Sequence, residues 1–536
     1  MNDDQDRRQK IVIAAIVLAL SSFFLFFNLG HPALWDDEAT TALFAQSVWR
    51  TGDTSALLDH QVIAYDAGAD LKGLYNRHMP PLQFYVAAPF AGICPGSAFA
   101  ARIPFAVCGL LTVGIMLLWL WRSGASLQTW VLAAVGILCN VSLMLFSRQC
   151  RYYALTMALA VILSFLYFYR DERLKSSIGI AVVSLLLLLS HYLCFVAVYA
   201  CLIVDYLIWS RKNRPLSISQ LIIIVLPPLL LGGWLVSAIN PFLKTAWNLE
   251  KSAIIFQTLR DLNGSEMGVG VLLILAPILH FFRGGHALRC FAAILIYVTV
   301  IGLFSPSLTK IGTTVRYLTP LIPLCIVAGV LTIQALTKRF QHFAVPLAVL
   351  AFGTNLLHGG PWGFTAHQTP FSKILDQNRL RMTPLEFVAE LISPPPSAYR
   401  ITSEWIQNHL TKQESVWVMP SYVTYPLMFH APEPTYAWQL PEEAEPFRGL
   451  PAIHFMRRIP PDYVIAFGPY IENVRREFKV LEERGVHYAQ IQRIDRYWYD
   501  LTRPELFWHS FGKIENFSRT SEAIYIFKRI QDDAVL

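Results

Sequence analysis

The chain has 536 residues, of which 54% are hydrophobic and 15% charged, with a formal net charge of +7. Soluble domains carry about 25% charged residues, and repeated apolar runs of about 18–20 residues mark a polytopic membrane protein instead. The basic excess is modest and forms no stripe interleaved with aromatics. That argues against a nucleic-acid partner and leaves topology and anionic lipid as its explanation.

Ile11 to Phe27 is too apolar to be other than membrane-inserted. No small-residue cleavage site follows it, so an uncleaved anchor is expected. Directly after it stands Leu34-Trp35-Asp36-Asp37-Glu38-Ala39-Thr40-Thr41, three adjacent carboxylates beside a tryptophan. Acids so near lipid are costly unless they do something, which makes them the first place to look for chemistry. A helix N-cap at Asp36 or Asp37, before a helix starting near Glu38, would explain one acid but not three.

Hydrophobic runs fall at 11–29, 99–121, 127–146, 152–169, 176–190, 192–209, 218–239, 267–282, 290–304, 317–337 and 343–357, predicting about eleven transmembrane helices. Basic clusters punctuate them: Arg7-Arg8-Lys10, Arg122, Arg170 to Lys175, Arg211-Lys212-Arg214, Arg283 to Arg289 and Lys338-Arg339. All of these lie inside if the N-terminus is cytoplasmic and 81–93 is a re-entrant or juxtamembrane helix on the outer side. The same count puts residues 30–98, the 147–151 turn, the 240–266 loop, the 305–316 turn and everything after 358 outside the cytoplasmic (inner) membrane. The eight cysteines (94, 108, 139, 150, 194, 201, 290 and 325) all fall in the membrane half, with no CxxC or Cys/His spacing. That pattern argues against a disulfide framework and a structural zinc site.

Near residue 360 the composition shifts. Pro361, Pro370 and Pro394-Pro395-Pro396 lead into a polar region of roughly 175 residues. Ile401 to Leu410 and Asn473 to Arg484 have helical spacing, and Ser415 to Met419, Asp462 to Phe467, Tyr488 to Ile494 and Ala523 to Phe527 read as strands. The expected division is a transmembrane catalytic domain over 1–358 and an extracytoplasmic α/β domain over 359–536. The second contains no Gly-rich phosphate loop and no catalytic constellation, so substrate handling or capping is its expected use.

Several basic residues break the positive-inside pattern: Arg77 with His78, Arg102, Arg148, Arg151, Lys310 and Arg316. Arginine suits phosphate because its planar donors bind two oxygens at once. The set would hold a lipid phosphate, although any one member could merely snorkel to headgroups. Each sits in a patterned context: His78-Met79-Pro80-Pro81-Leu82, Ala101-Arg102-Ile103-Pro104, Ser147 to Leu155, and Arg316-Tyr317-Leu318-Thr319-Pro320 with Pro323. His191-Tyr192 marks the outer tip of the 176–209 hairpin.

With Asp37-Glu38 after the first span, these segments in this order resemble the GT-C superfamily of membrane glycosyltransferases. The branch they look like holds bacterial relatives of protein O-mannosyltransferases and of the lipid A aminoarabinose transferase. The likeness covers roughly residues 11–340. Three departures bear on specificity: Gln149 where many relatives have an acid, and Met79 and Thr40 where aminoarabinose-type enzymes have a lysine and an arginine. Neither specificity is carried over.

The resemblance implies transfer of a sugar from a polyprenyl-phosphate donor to a glycan, lipid or protein acceptor. Asp37 would be the general base, with Glu38 or Asp36 orienting it or binding the acceptor. His78, Arg102, Arg151 and Arg316 would stabilise the departing phosphate. Tyr152, His191, Tyr192 and Tyr317 would contact lipid or acceptor. One base implies inversion at the anomeric carbon. No cofactor is implied, although acids so close together could hold a divalent metal. A transporter or flippase fits less well, because the charges cluster at one surface and no inverted repeat is evident. An oligosaccharide polymerase or ligase would share the basic face, and the acid pair tilts against it.

Overall fold

The computed structural model describes residues 2–65, 68–69, 71–239, 255, 258–259, 262, 286–304, 314–357, 382–394, 397–440, 447, 450, 459–496 and 523–530. They divide into two compact units. One holds Met1–Phe27 and Phe105–Ser393, the other Asn28–Pro104, Pro394–Arg503 and Ile514–Leu536. The boundary suggested at 358–359 and the apolar run at 267–282 lie outside the described residues.

The first unit is a helix bundle. It opens with α1 (Asn2–Phe26), which is followed in the chain by α2 (Asp36–Thr51) and α3 (Leu82–Ile93) of the second unit. It resumes within α4 (Ala98–Arg122) and continues through α5 (Leu127–Cys139), α6 (Val141–Ser147), α7 (Tyr152–Phe168), α8 (Leu174–Ser190), α9 (Tyr192–Asp205) and α10 (Ile218–Ile239). Among the described residues it also includes helices His286–Phe304, Ile322–Leu336, Ala344–Gly353 and Thr383–Ile392. Five helices among the described residues are long and apolar enough to cross a membrane: Asp4–Phe26, Ala98–Arg122, Tyr192–Ser210, Ile218–Leu235 and Arg316–Leu336. A sixth counts if α5 and α6, bent by 54°, are one span. The bend is at Asn140, whose Oδ1 accepts the Leu143 N–H at 2.8 Å and starts a new helix inside one apolar run. Tyr152–Phe168 and Leu174–Ser190 are 17 residues each, about 25 Å long and at the short limit for crossing. The protein is thus a multi-pass membrane protein.

Small residues let these helices close on one another, as membrane packing requires. A Cβ at Gly109 would come within 2.4 Å of Ser147 Cβ, so α4 needs glycine to reach α6. Basic side chains tie together helix ends that the charge pattern assigns to the cytoplasm. Arg170 donates to the carbonyls of Tyr167 and Arg214 at 2.7 and 2.8 Å. Arg289 pairs with Asp205 at 2.7 Å, and Tyr167 and Ser210 donate to the same carboxylate.

In the second unit α2 and α3 pack together, with Phe44 and Phe84 rings 5.5 Å apart. Between them lie the hairpins β1 (Leu57–Leu58) with β2 (Gln61–Val62), and β3 (Leu71–Lys72) with β4 (Tyr75–Asn76). The rest is a five-stranded sheet of β5 (Ser415–Met419), β6 (Thr435–Ala437), β7 (Tyr463–Phe467), β8 (His487–Ile494) and β9 (Ile524–Ile530), in the order β6-β5-β7-β9-β8. Strands β6, β5 and β7 are parallel, β9 runs antiparallel to β7, and β8 runs antiparallel to β9. Strand β7, YVIAF, is buried on both faces. Its Tyr463 and Phe467 meet Trp405 and Tyr399 of helix Ala398–His409. Val464 and Ala466 join the cluster under helix Ile471–Glu482. This is the α/β region expected from the alternating pattern, with each element within a few residues of its sequence bounds.

Candidate active site

The acids begin α2. Trp35, wholly buried, takes the N-cap position in extended conformation, and its N–H donates to Glu38 Oε2 at 3.4 Å. All three acids therefore lie in the first turn, where the helix dipole favours negative charge, and none is the cap itself. Glu38 is fully buried and meets Arg102 of α4 in a two-pronged ion pair, Nε to Oε1 at 2.8 Å and Nη2 to Oε2 at 2.5 Å. The remaining Arg102 donors reach the carbonyls of Leu29, Pro32 and Ala33 at 2.8–3.0 Å. All five N–H groups of the guanidinium are thereby engaged. A phosphate, the partner expected for Arg102, would have to compete with these contacts, which lock the 29–33 turn onto the start of α2. Asp36 and Asp37 are half-buried beside this lock. The Thr40 and Thr41 hydroxyls donate to their backbone carbonyls at 2.8 and 3.0 Å.

Two residues that no sequence signal marked hold the segment before the acids. His430, ending helix Thr424–His430, accepts the Leu34 N–H on Nε2 at 3.0 Å, with Nδ1 3.2 Å from the Gly96 carbonyl. That pair of contacts assigns the neutral tautomer protonated on Nδ1. Burial first, then the nearby Arg102 charge, pushes His430 down to about 4. Arg400 donates to the His31 carbonyl at 2.5 Å. Both contacts join positions more than 300 residues apart in sequence.

His78 is exposed on the turn before α3 and makes no hydrogen bond or ion pair among the described residues. Its neighbour Arg77 grips Asp53 through two bonds of 2.6–2.7 Å. Arg77, assisted by the Thr54 N–H and opposed by partial burial, holds the Asp53 carboxyl down to about 2.

In the first unit the α6–α7 turn presents the arginines. Arg148 donates to the carbonyls of Phe24 and Leu25 at 2.7 and 3.1 Å and satisfies the C-terminal end of α1. Arg151 is the extended N-cap residue of α7, buried, with its guanidinium 5.5 Å from the Tyr152 ring. Tyr152 lies 4.4 Å from the His191 ring, and His191 lies 5.3 Å from Tyr317. His191 Nδ1 accepts the Cys194 N–H at 3.2 Å and caps α9. The Tyr317 carbonyl takes the Tyr297 hydroxyl at 2.8 Å. Arg151, Tyr152, His191 and Tyr317, with Arg316 adjoining, thus form one cationic-aromatic group drawn from three chain segments. Tyr192 does not join it, packing instead with Leu188 and Leu235. Lys310 lies outside the described residues. Among the described residues no group of three or more His, Cys, Asp or Glu side chains could hold a metal ion.

An apolar helix bundle and a mixed α/β region, with acids starting the helix after the first span, define a multi-pass membrane protein with an attached α/β unit. The structure is similar to that of ArnT from Cupriavidus metallidurans in the apo state, with a TM-score of 0.59 and 12% identity over 96% of this chain and 97% of that one. ArnT from the same organism bound to undecaprenyl phosphate gives 0.58 and 11% over the same shares of both chains. At such identity the likeness is one of fold. No protein-family model matches the chain, and no curated protein matches it in sequence.

Proposed function

We propose that this protein is an inverting membrane glycosyltransferase. It takes a sugar from a polyprenyl-phosphate donor and moves it to an acceptor at the outer face of the cytoplasmic membrane. The observation that carries this reading is the acid turn: two half-buried aspartates fixed at a helix start by the buried Glu38–Arg102 pair, within a fold similar to that of ArnT. ArnT has been captured with undecaprenyl phosphate, which supports a polyprenyl-phosphate donor here.

Asp37 accepts the proton as the acceptor hydroxyl or amine attacks the anomeric carbon. The bond from that carbon to the phosphate oxygen breaks, and the phosphate leaves with the electron pair. Arg151 and Arg316 stabilise the charge that grows on it, with exposed His78 as a further donor. Asp36 binds the acceptor. Glu38 and Arg102 are positioning residues that hold Asp37 in place. Tyr152, His191 and Tyr317 supply a ring surface for the donor lipid near its phosphate.

The test is the lipid extract of a deletion strain. Accumulated polyprenyl-phosphate sugar, cleared by the wild-type gene and not by Asp37→Asn, is the expected result. An extract indistinguishable from the parent's, with an acceptor still fully glycosylated, would count against the reading.

A further inference from the structure

We infer that the second unit carries a separate binding site for an uncharged saccharide, built on the C-terminal half of α2 and the β1–β2 turn. A cavity of about 450 Å³ opens there. That volume is within the roughly 300–1,000 Å³ typical of small-molecule sites. It equals the share of about 15 waters at ~30 Å³ each, room for a hexose ring with its hydroxyls.

Leu43, Gln46 and Arg50 face the cavity from successive turns of α2. Gln46 is only 6% exposed, yet its amide makes no hydrogen bond among the described residues. Gln46 lines the cavity, so its unpaired amide is open to an occupant. An amide offers both donors and an acceptor, matching hydroxyl groups that do the same. His60, on the β1–β2 turn, also lines the cavity, with its Nε2 3.0 Å from the Glu433 carbonyl.

Charge decides the class of ligand. Arg50 is ion-paired with Asp59, whose φ of 56° puts it in the left-handed region at the turn. The pair cancels its own charge and still presents donors and acceptors at the rim. His430, which also lines the cavity, is in its neutral form. With no net charge the lining favours neither phosphates nor cations. Leu43 and Phe429 supply an apolar wall for the C–H face of a sugar ring.

Nine residues of α2 separate Asp37 from Gln46, about 14 Å along the axis. The occupant would be a neutral sugar unit of the acceptor other than the one modified. That last identification rests on the transferase reading; the binding site does not.

The experiment is saturation-transfer NMR on the full chain in phosphatidylcholine nanodiscs, free of sugar-headed detergents. The probes are neutral di- and trisaccharides of glucose, galactose, mannose, rhamnose and N-acetylglucosamine, with glucose 6-phosphate as the charged control. Wild type and Asp37→Asn should both transfer to at least one neutral saccharide and not to the phosphate. Gln46→Met, which keeps length and loses the amide, should bind about tenfold more weakly. Asp59→Asn, at an exposed turn whose positive φ asparagine also adopts, should uncover the Arg50 charge and admit glucose 6-phosphate. Absence of transfer to every neutral sugar, or binding unchanged in both Gln46→Met and Asp59→Asn, overturns the inference. Failure of the transferase reading would show differently, as intact saccharide binding without sugar transfer.

Discussion

Glu38 and Arg102 form a bidentate ion pair that is almost wholly removed from solvent, with side-chain exposures of 0% and 4%. Burying two charges is costly, and the geometry offsets that cost only because every Arg102 donor and both Glu38 oxygens are engaged. The pair fixes α2 to α4 and to the turn after α1, so the aspartates beside it have a defined position.

Removing Arg102 should therefore act on folding before it acts on donor binding. Arg102→Ala leaves a buried carboxylate without its partner, a loss of about 3–5 kcal/mol. Thermal unfolding in detergent should show a markedly lower midpoint or no folded protein. A variant that melts like wild type but fails to bind donor would return Arg102 to the phosphate role.

Asp37→Asn preserves side-chain volume and leaves the Glu38–Arg102 pair untouched. Loss of a general base lowers turnover by about 10²–10⁴-fold. The melting temperature should stay at the wild-type value. Wild-type turnover in the purified variant would remove Asp37 from the mechanism.

His430 makes stability depend on pH. Its folded value of about 4 lies below the unfolded 6.5, so the unfolded chain binds more protons between these limits. The contribution is complete above pH 6.5 and is lost as pH falls through 4, roughly 3 kcal/mol in all. A melting series from pH 7 to 4 should fall more steeply for wild type than for His430→Gln. Equal slopes would show that the Leu34–His430 bond does not carry this dependence.

Much of this was legible in the sequence, and the limits were physical. The acids and Arg102 stood out because local residue type and membrane context suffice to mark them. Their partnership did not, because 64 residues separate Glu38 from Arg102 and no periodicity links them. His430 was invisible for the same reason at 396 residues from Leu34. The strands at 415–419 and 463–467 were readable because continuous apolar runs bounded by turns admit few alternatives. The hairpins over 57–76 were not, since strands of two residues carry no alternation. The α5–α6 break hid behind one asparagine in an otherwise apolar run.

Topology can be read from single cysteines in a background lacking the native ones. Lys212→Cys and Lys338→Cys should be shielded from an impermeant maleimide in intact cells, and cysteines at exposed positions in 400–496 should react. The grouping of Arg170, Arg214, Asp205 and Arg289 at shared helix ends favours that arrangement. Reaction at Lys212→Cys and protection of the C-terminal positions would invert the chain and move the acids inside.

Arg151 and Arg316 should act on the donor phosphate. Arg151 lies at the start of α7 against Tyr152, and Arg316 adjoins Tyr317, whose ring faces His191. Both are among the basic residues that break the positive-inside pattern. Replacing either with alanine removes a charge-assisted contact worth about 1.5–3 kcal/mol, or roughly 10–100-fold in donor affinity. Lysine should restore only part, since it supplies charge without the two-pronged donor geometry. Asp37→Asn should bind donor nearly as wild type does, because the base acts on the acceptor. Binding of undecaprenyl phosphate to detergent-solubilised variants separates the two roles. If both alanine variants bind the lipid normally while Asp37→Asn does not, the basic residues do not serve the donor and the acids do.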